Sequence, residues 1–485
     1  MDALLWELLA DGSPDDRVEV LIKLSELGHV PADRIEVVAQ IGKIVSCRIR
    51  RGDIEAVREL EGVVSMKASR TLSIDLPYSE DQIAASEYLD YPKNDRRPKL
   101  PYTGKGIAIG ITDWGVDFTH PNFVNADNTS RFLAIWDQGA DYDGINRYGY
   151  GTIHYKSDIN DALDSASPFE TLGYHPGKTD FFHQGMHGSH VLDIAAGNGT
   201  IGDKGIAPDA DLIAVHLATN RFKDLMGLGD SVRVFDGLHF IDDLAGEQPL
   251  VINMSVGSHG DAHAGLTLIE QAIDALITAK MNRSIVQSSG NYYKGHTHSK
   301  GVLTTQQTTI LEWLISDKDT TPNEIEIWYE PDDTIEVDIQ SPNGDFVLTK
   351  QGIGHTTIQN DRGDTVGRYY HRAHEPNTQL HQVFIILTEQ AAAGKWQIIL
   401  RGVHIVNGRY QAWIERDVKG SVHQSRFPLY QANTDTTTGS ICNGYHTICV
   451  RGLRCERRST GDWRIQQRWT NLGWQTKTRF SGTGC

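Results

Sequence analysis

Cysteine is scarce in this chain: 485 residues contain five, and none has the spacing of a metal-ligand set. That scarcity suits a reducing cytoplasm, and neither a metal nor another cofactor is expected. Long apolar runs are missing too. None reaches the roughly 18 residues of a membrane span, so no membrane partner is expected. Basic charge is in deficit. The net charge of −17 argues against a nucleic-acid partner and favours a well-solvated surface. Residues Met1 to Pro14 carry acidic groups and no positively charged n-region, so they do not read as a secretory signal. The length exceeds one compact domain, and nothing in the sequence fixes an oligomeric state.

Two motifs are present in a fixed order. Ile109-Gly110-Ile111-Thr112-Asp113-Trp114-Gly115 reads as a buried strand ending at a carboxylate and a tight Gly turn. Further on, Met186-His187-Gly188-Ser189-His190-Val191 runs into Ile194-Ala195-Ala196-Gly197. An Asp at the C-terminal end of a parallel strand lies at the crevice where open α/β sheets place their chemistry. A His opening a helix of small residues can face it. Together they suit nucleophile activation: a neutral imidazole takes the proton of a weak hydroxyl, and a buried carboxylate fixes its tautomer and stabilises the imidazolium.

With Thr119-His120-Pro121-Asn122-Phe123 and Gly205-Ile206-Ala207-Pro208 at matching spacing, the pair resembles the subtilisin-like serine peptidases, or subtilases. In that family Asp precedes His and Ser follows. The resemblance implies peptide-bond hydrolysis by acyl transfer on a peptide or protein substrate, with Asp113 orienting and His187 acting as general base and acid. Val251-Ile252-Asn253-Met254-Ser255-Val256-Gly257 is similar to the family strand whose exposed backbone lines the primary specificity pocket, which puts Ser255, Val256 and Gly257 on its wall. Ile285-Val286-Gln287-Ser288-Ser289-Gly290-Asn291 is similar to the strand ending in the oxyanion Asn. Asn291 would then donate its side-chain amide, and losing such a donor costs about 100- to 1,000-fold in rate. Two departures stand out: Trp114 where the family usually has Ser or Thr, and Leu192-Asp193 where it usually has Ala-Gly.

No matching Ser is found before Cys485. Residues 451 to 485 instead carry eight Lys+Arg and two Asp+Glu, three of the ten Trp and two of the five Cys, without helical or strand periodicity. The genetic code accounts for them. If every codon after Val450 is read one nucleotide later, the TGG codons of Trp463, Trp469 and Trp474 each force Gly. The remaining codons permit GAYDANADPPGTGxFSSxGPTSDGRQKPDFxAPGV. FSSxGPTxDGRxKPDxxAPG is the segment subtilases carry ahead of their nucleophile motif. Thr447-Ile448-Cys449-Val450 looks like the family strand that precedes it. The chain is therefore read as leaving its ancestral frame near Val450, and Ser481-Gly482-Thr483-Gly484 as a coincidental likeness to the Gly-Thr-Ser motif.

The expected fold class is α/β: a subtilisin-like doubly wound parallel sheet, C-terminally truncated, with an N-terminal α/β propeptide-like domain and an inserted antiparallel β-sandwich. In residues 1–73, strands at Val18–Leu24 and Ile35–Ile49, a helix capped by Asp53 and stopped at Gly62, and a strand at Val63–Ala68 resemble the family's inhibitory propeptide. Residues 74–103, with Pro77, Pro92, Pro98 and Pro101, read as a linker. The catalytic core occupies 104–301 and resumes over 421–450, and 451–485 is the out-of-frame basic tail. Over 302–420 the alternating sets Ile325/Ile327/Tyr329, Ile335/Val337/Ile339, Trp396/Ile398/Leu400 and Tyr410/Ala412/Ile414 predict half-buried antiparallel strands of a jelly-roll-like insert. The lone histidines His183, His216, His259, His296 and His298 lie near core motifs, and His296-Thr297-His298 reads as a loop rather than a metal site. Loss of a core strand and helix predicts that the N-terminal domain and the insert are separately closed units around a weakened core. The reading is a serine endopeptidase by descent, inactive without its nucleophile; the alternative is a catalytically silent peptide- or protein-binding module.

Overall fold

The computed structural model describes residues 1–27, 34–74, 102–177, 187–217, 231–416 and 423–450, with two short strands at 456–457 and 463–464. Most of the expected linker, most of the basic tail, and His183 lie outside the described residues.

The N-terminal unit starts with helix α1 (Ala3–Ala10). Strands β1 (Arg17–Leu24), β2 (Glu36–Ile41), β3 (Ile44–Arg50) and β4 (Val63–Ala68) form an antiparallel sheet in the order β2-β3-β1-β4, with the short helix α2 (Ile54–Arg58) before β4. Gly42, at φ +57°, makes the β2–β3 turn. Asp53 does not cap α2 as expected. Its carboxylate takes Arg50 Nε at 2.9 Å, and the first turn has no side-chain cap. Val20, Ile22 and Leu24 face Leu5, Ile54 and Val57, while Leu21, Ala39, Ile41 and Ile44 face the core. A two-residue strand, β5 (Ser73–Ile74), follows.

In the core, β6 (Ala108–Asp113), β7 (Phe132–Asp137), β8 (Thr152–Tyr155), β9 (Asp211–His216), β10 (Leu250–Met254), β12 (Arg283–Ser288) and β23 (Ile448–Val450) make one sheet, ordered β23-β12-β10-β6-β9-β7-β8. All neighbours are parallel except β7 and β8. Helices α3 (Lys156–Leu163), α4 (Pro168–Leu172) and α5 (His187–Ala196) cover one face, and α6 (Ser231–Ala245) and α7 (Leu268–Ala279) the other. The doubly wound expectation is met, with the N-terminal sheet packed as a further layer over α6 and α7.

Between β12 and β23 the chain forms two antiparallel sheets. One is β13 (His298–Val302), β22 (Arg409–Ile414), β15 (Asn323–Tyr329), β20 (His381–Leu387), β19 (Thr365–Arg372) and β18 (Gly354–Gln359). The other is β14 (Thr308–Ile315), β21 (Gly394–His404), β16 (Thr334–Gln340) and β17 (Phe346–Gln351). Ile325, Ile327 and Tyr329 meet Val337, Ile339, Trp396 and Ile398 in a single core between them. The central strands of the six-stranded sheet are buried on both faces rather than half-buried. On its outer face Tyr370 and Phe384 pack against Ala3, Leu4 and Trp6, and Trp328 and Trp413 pack around Ala262. His298 also departs from the loop expectation: it opens β13, with its ring stacked on Trp413 at 5.1 Å.

The units are fastened to one another, which amends the expectation of separate closure. Lys67 of β4 pairs with Glu375 at 3.0 Å and Asp2 at 3.1 Å, Arg372 reaches Asp2 at 3.4 Å, and Glu7 pairs with Arg368. Lys67 and Arg372 hold the Glu375 carboxyl down at about 2 against the effect of burial, which acts to raise it.

One buried acid joins the N-terminal sheet to the core. Asp236 of α6 accepts Ser46 Oγ from β3 at 2.5 Å and Tyr150 Oη at 2.9 Å. Burial, reinforced by Glu19, pushes its carboxyl up to about 7 against the opposing effects of Ser46, Tyr150 and Arg233. A carboxyl raised by folding keeps a proton that the unfolded chain has released. Its stabilisation is therefore full at acid pH and is lost as pH rises through about 7. This contribution should decline between about pH 4 and pH 7, and Asp236→Asn, whose Oδ1 accepts one of the two hydroxyls while its Nδ2 donates to the other, should remove it from the pH dependence of thermal stability. Glu270 and Asp261, pushed up by burial to about 8 and about 6, add to the decline, and buried imidazoles held neutral, such as His216, oppose it. Equal slopes in the two proteins would contradict this assignment.

Candidate active site

Asp113 is the last residue of β6, at the C-terminal edge of the parallel sheet, and is fully buried. Its Oδ1 faces His187 Nδ1 at 2.8 Å and accepts the backbone N–H of Trp114 at 2.7 Å. His187 is the first residue of α5, with its side chain 14% exposed. A helix start leaves N–H groups without intrahelical partners, and here the turn after β6 supplies them. Gly188 N–H donates to the Trp114 carbonyl at 2.7 Å, and Ser189 N–H to that of Gly115 at 3.0 Å. Ser189 Oγ donates back to Gly115 O at 2.8 Å and accepts from Asp117 N–H at 2.7 Å. The contact requires glycine: a Cβ on Gly188 would stand 2.7 Å from the Trp114 carbonyl. Gly115, at φ +68°, makes the turn.

Behind this turn, Tyr174 Oη donates to Val116 O at 3.0 Å, accepts from Val116 N–H at 3.1 Å and meets His216 Nδ1 at 3.1 Å. Burial lowers the His216 imidazole from its ordinary range, favouring the neutral ring. Tyr174 and His216 brace the turn that carries the dyad, and neither carried a sequence signal for that role. Ser189 lay inside a recognised motif but showed its task only in three dimensions. The Leu192-Asp193 departure has a local reason. Leu192 fills the core under α5, and Asp193 Oδ1 accepts Asn122 Nδ2 at 2.7 Å, tying the helix to the Pro121-Asn122-Phe123 turn.

Asn291 lies just beyond β12, after Gly290 at φ +79°, and is exposed. Ser255, Val256 and Gly257 follow β10. Because β12, β10 and β6 are neighbours, Asp113, residues 255–257 and Asn291 share one edge of the sheet. Part of the expected wall is covered by the chain itself. Val256 and Gly257 form strand β11, which pairs antiparallel with Ile74 and Ser73 of β5, and Val256 is buried. The chain's own segment occupies that backbone edge. Among the described residues no group of three or more His, Cys, Asp or Glu is placed to hold a metal ion. No helix among them is long and apolar enough to cross a membrane.

The family model described as the subtilase family matches residues 104–373, and the chain belongs to that family. It is 26% identical over 265 residues to the PII-type proteinase of Lacticaseibacillus paracasei, covering 53% of this chain and 12% of that protein. It is 26% identical over 235 residues to subtilisin E of Bacillus subtilis, covering 46% of this chain and 49% of that one. The chain thus spans half or less of the length of these relatives. The fold is similar to that of the Clostridium perfringens CspB protease, with a TM-score of 0.58 at 23% identity over 72% of this chain and 68% of that one.

Proposed function

We propose that this chain is a subtilisin-type serine endopeptidase by descent, and that the 485-residue polypeptide is its catalytically silent form. The observation that carries the first half is the buried Asp113 Oδ1–His187 Nδ1 contact of 2.8 Å. A carboxylate bonded at Nδ1 fixes the tautomer that leaves Nε2 free of its proton, ready to accept one from a hydroxyl and return it to the leaving amine. Asn291 holds the oxyanion, and the backbone of Ser255, Val256 and Gly257 aligns the peptide substrate. The N-terminal α/β unit is a propeptide whose end, Ser73–Ile74, lies along that backbone. Residues 298–414 form the inserted sandwich, and a reducing cytoplasm is the proposed compartment, supported by the buried thiol of Cys47.

The second half of the proposal rests on the codon pattern after Val450. Restoring the frame at that point should open a reading frame through GPTSDGRQKPD into a Gly-Thr-Ser motif. The repaired protein should hydrolyse peptides, and His187→Ala should abolish the hydrolysis. A stop codon soon after the restored frame, with no Ser motif, would overturn the proposal.

A further inference from the structure

Trp114 touches both members of the dyad. Its backbone N–H donates to the Asp113 oxygen that faces His187, and its carbonyl accepts Gly188 N–H at the start of the helix carrying His187. Its indole lies over the imidazole, with ring centroids 5.0 Å apart and planes 19° from parallel. The ring is 1% exposed, and among the described residues its buried Nε1 has no hydrogen-bond partner, so packing rather than a polar bond of its own holds it there. A buried indole donor left unpaired is unfavourable, and among the described residues the ring's specific contact is this face-on stack. Asp113 Oδ2 is likewise buried, and among the described residues no side-chain hydroxyl braces the carboxylate from that side.

We propose that Trp114 is a positioning residue for His187. Its π face holds the imidazole in line with Asp113 and favours the imidazolium over the neutral ring. This rests on reading Asp113–His187 as the proton-transfer pair. An aromatic face attracts a cation more strongly than a neutral ring, and most strongly when both are shielded from water. The imidazolium forms when His187 takes a proton, so the stack stabilises the charged state that proton transfer creates. Ser or Thr at this place could offer a hydrogen bond but no such face.

The test is a pH titration of the full 485-residue chain by NMR, with labelled histidine and 5-fluorotryptophan. In Trp114→Leu, which keeps an apolar side chain and removes the π face, the titration midpoint of His187 should fall by about one unit. In Trp114→Phe it should fall less than half as far. In the parent chain the fluorine resonance of Trp114 should step at the His187 midpoint, and His187→Gln should remove that step. A Leu variant titrating within about 0.2 units of the parent would overturn the proposal. Should that variant not fold, a parent fluorine signal with no step at the His187 midpoint would overturn it equally. The readout needs no nucleophile, so failure of the repaired protein to hydrolyse peptides would count against the proposed function and leave this result standing.

Discussion

Incubated with a serine-directed fluorophosphonate, the 485-residue chain should remain unlabelled. Its peptide hydrolysis should lie about a millionfold below that of a complete triad. The reason is chemical. Asp113 and His187 can accept and return a proton, but acyl transfer needs a hydroxyl in line with both the imidazole and the oxyanion donor. On the proposed reading, the serine that would supply it belongs to the other reading frame. On that reading what survives is the proposed substrate alignment and the oxyanion donor, which would leave only a small residual rate. Stoichiometric labelling at any serine, Ser481 above all, would show that the tail has been misread.

The dyad was legible in the sequence because its constraints are local. A strand must end at the carboxylate, a Gly must turn the chain, and a Gly must follow the histidine so that its helix can approach. Gly115 and Gly188 meet those needs within three residues of Asp113 or His187. The core sheet was legible for a related reason: parallel strands buried on both faces are apolar throughout, as in β6. Contacts between distant backbone or between units were not legible. The β5–β11 pairing joins Ser73–Ile74 to Val256–Gly257 through main-chain bonds, which no side-chain pattern encodes. Period-two alternation in β15 and β22 revealed an inner face but could not tell what covers the outer one. Helix α1, with Trp6 against His355 at 4.2 Å, turned out to be part of the answer.

The ion pairs between units predict the largest loss of stability. Arg70 lies between β4 and β5, at the end of the N-terminal unit. Its guanidinium pairs with Glu326 of the insert, donates to Gly260 O of the core at 2.9 Å and stands 4.0 Å from Glu415. The Glu326 side chain is 2% exposed, and its Oε2 takes Trp328 Nε1 at 2.9 Å and Gln382 Nε2 at 2.8 Å. Burial pushes the nearby Asp261 carboxyl up to about 6, and Arg70 is the strongest influence holding it down. Removing one partner of a buried pair costs about 3–5 kcal/mol, because the charge left behind can neither leave nor find water. Arg70→Met should therefore lower stability by about that amount in denaturant unfolding, and Arg70→Met with Glu326→Gln should recover much of it. Arg70 is three residues from Ser73, so losing its hold should also loosen the β5–β11 pairing, seen as faster amide exchange at Val256. A loss below about 1 kcal/mol, with Val256 exchange unchanged, would mean that apolar packing on α6 and α7 holds the N-terminal unit without help from Arg70.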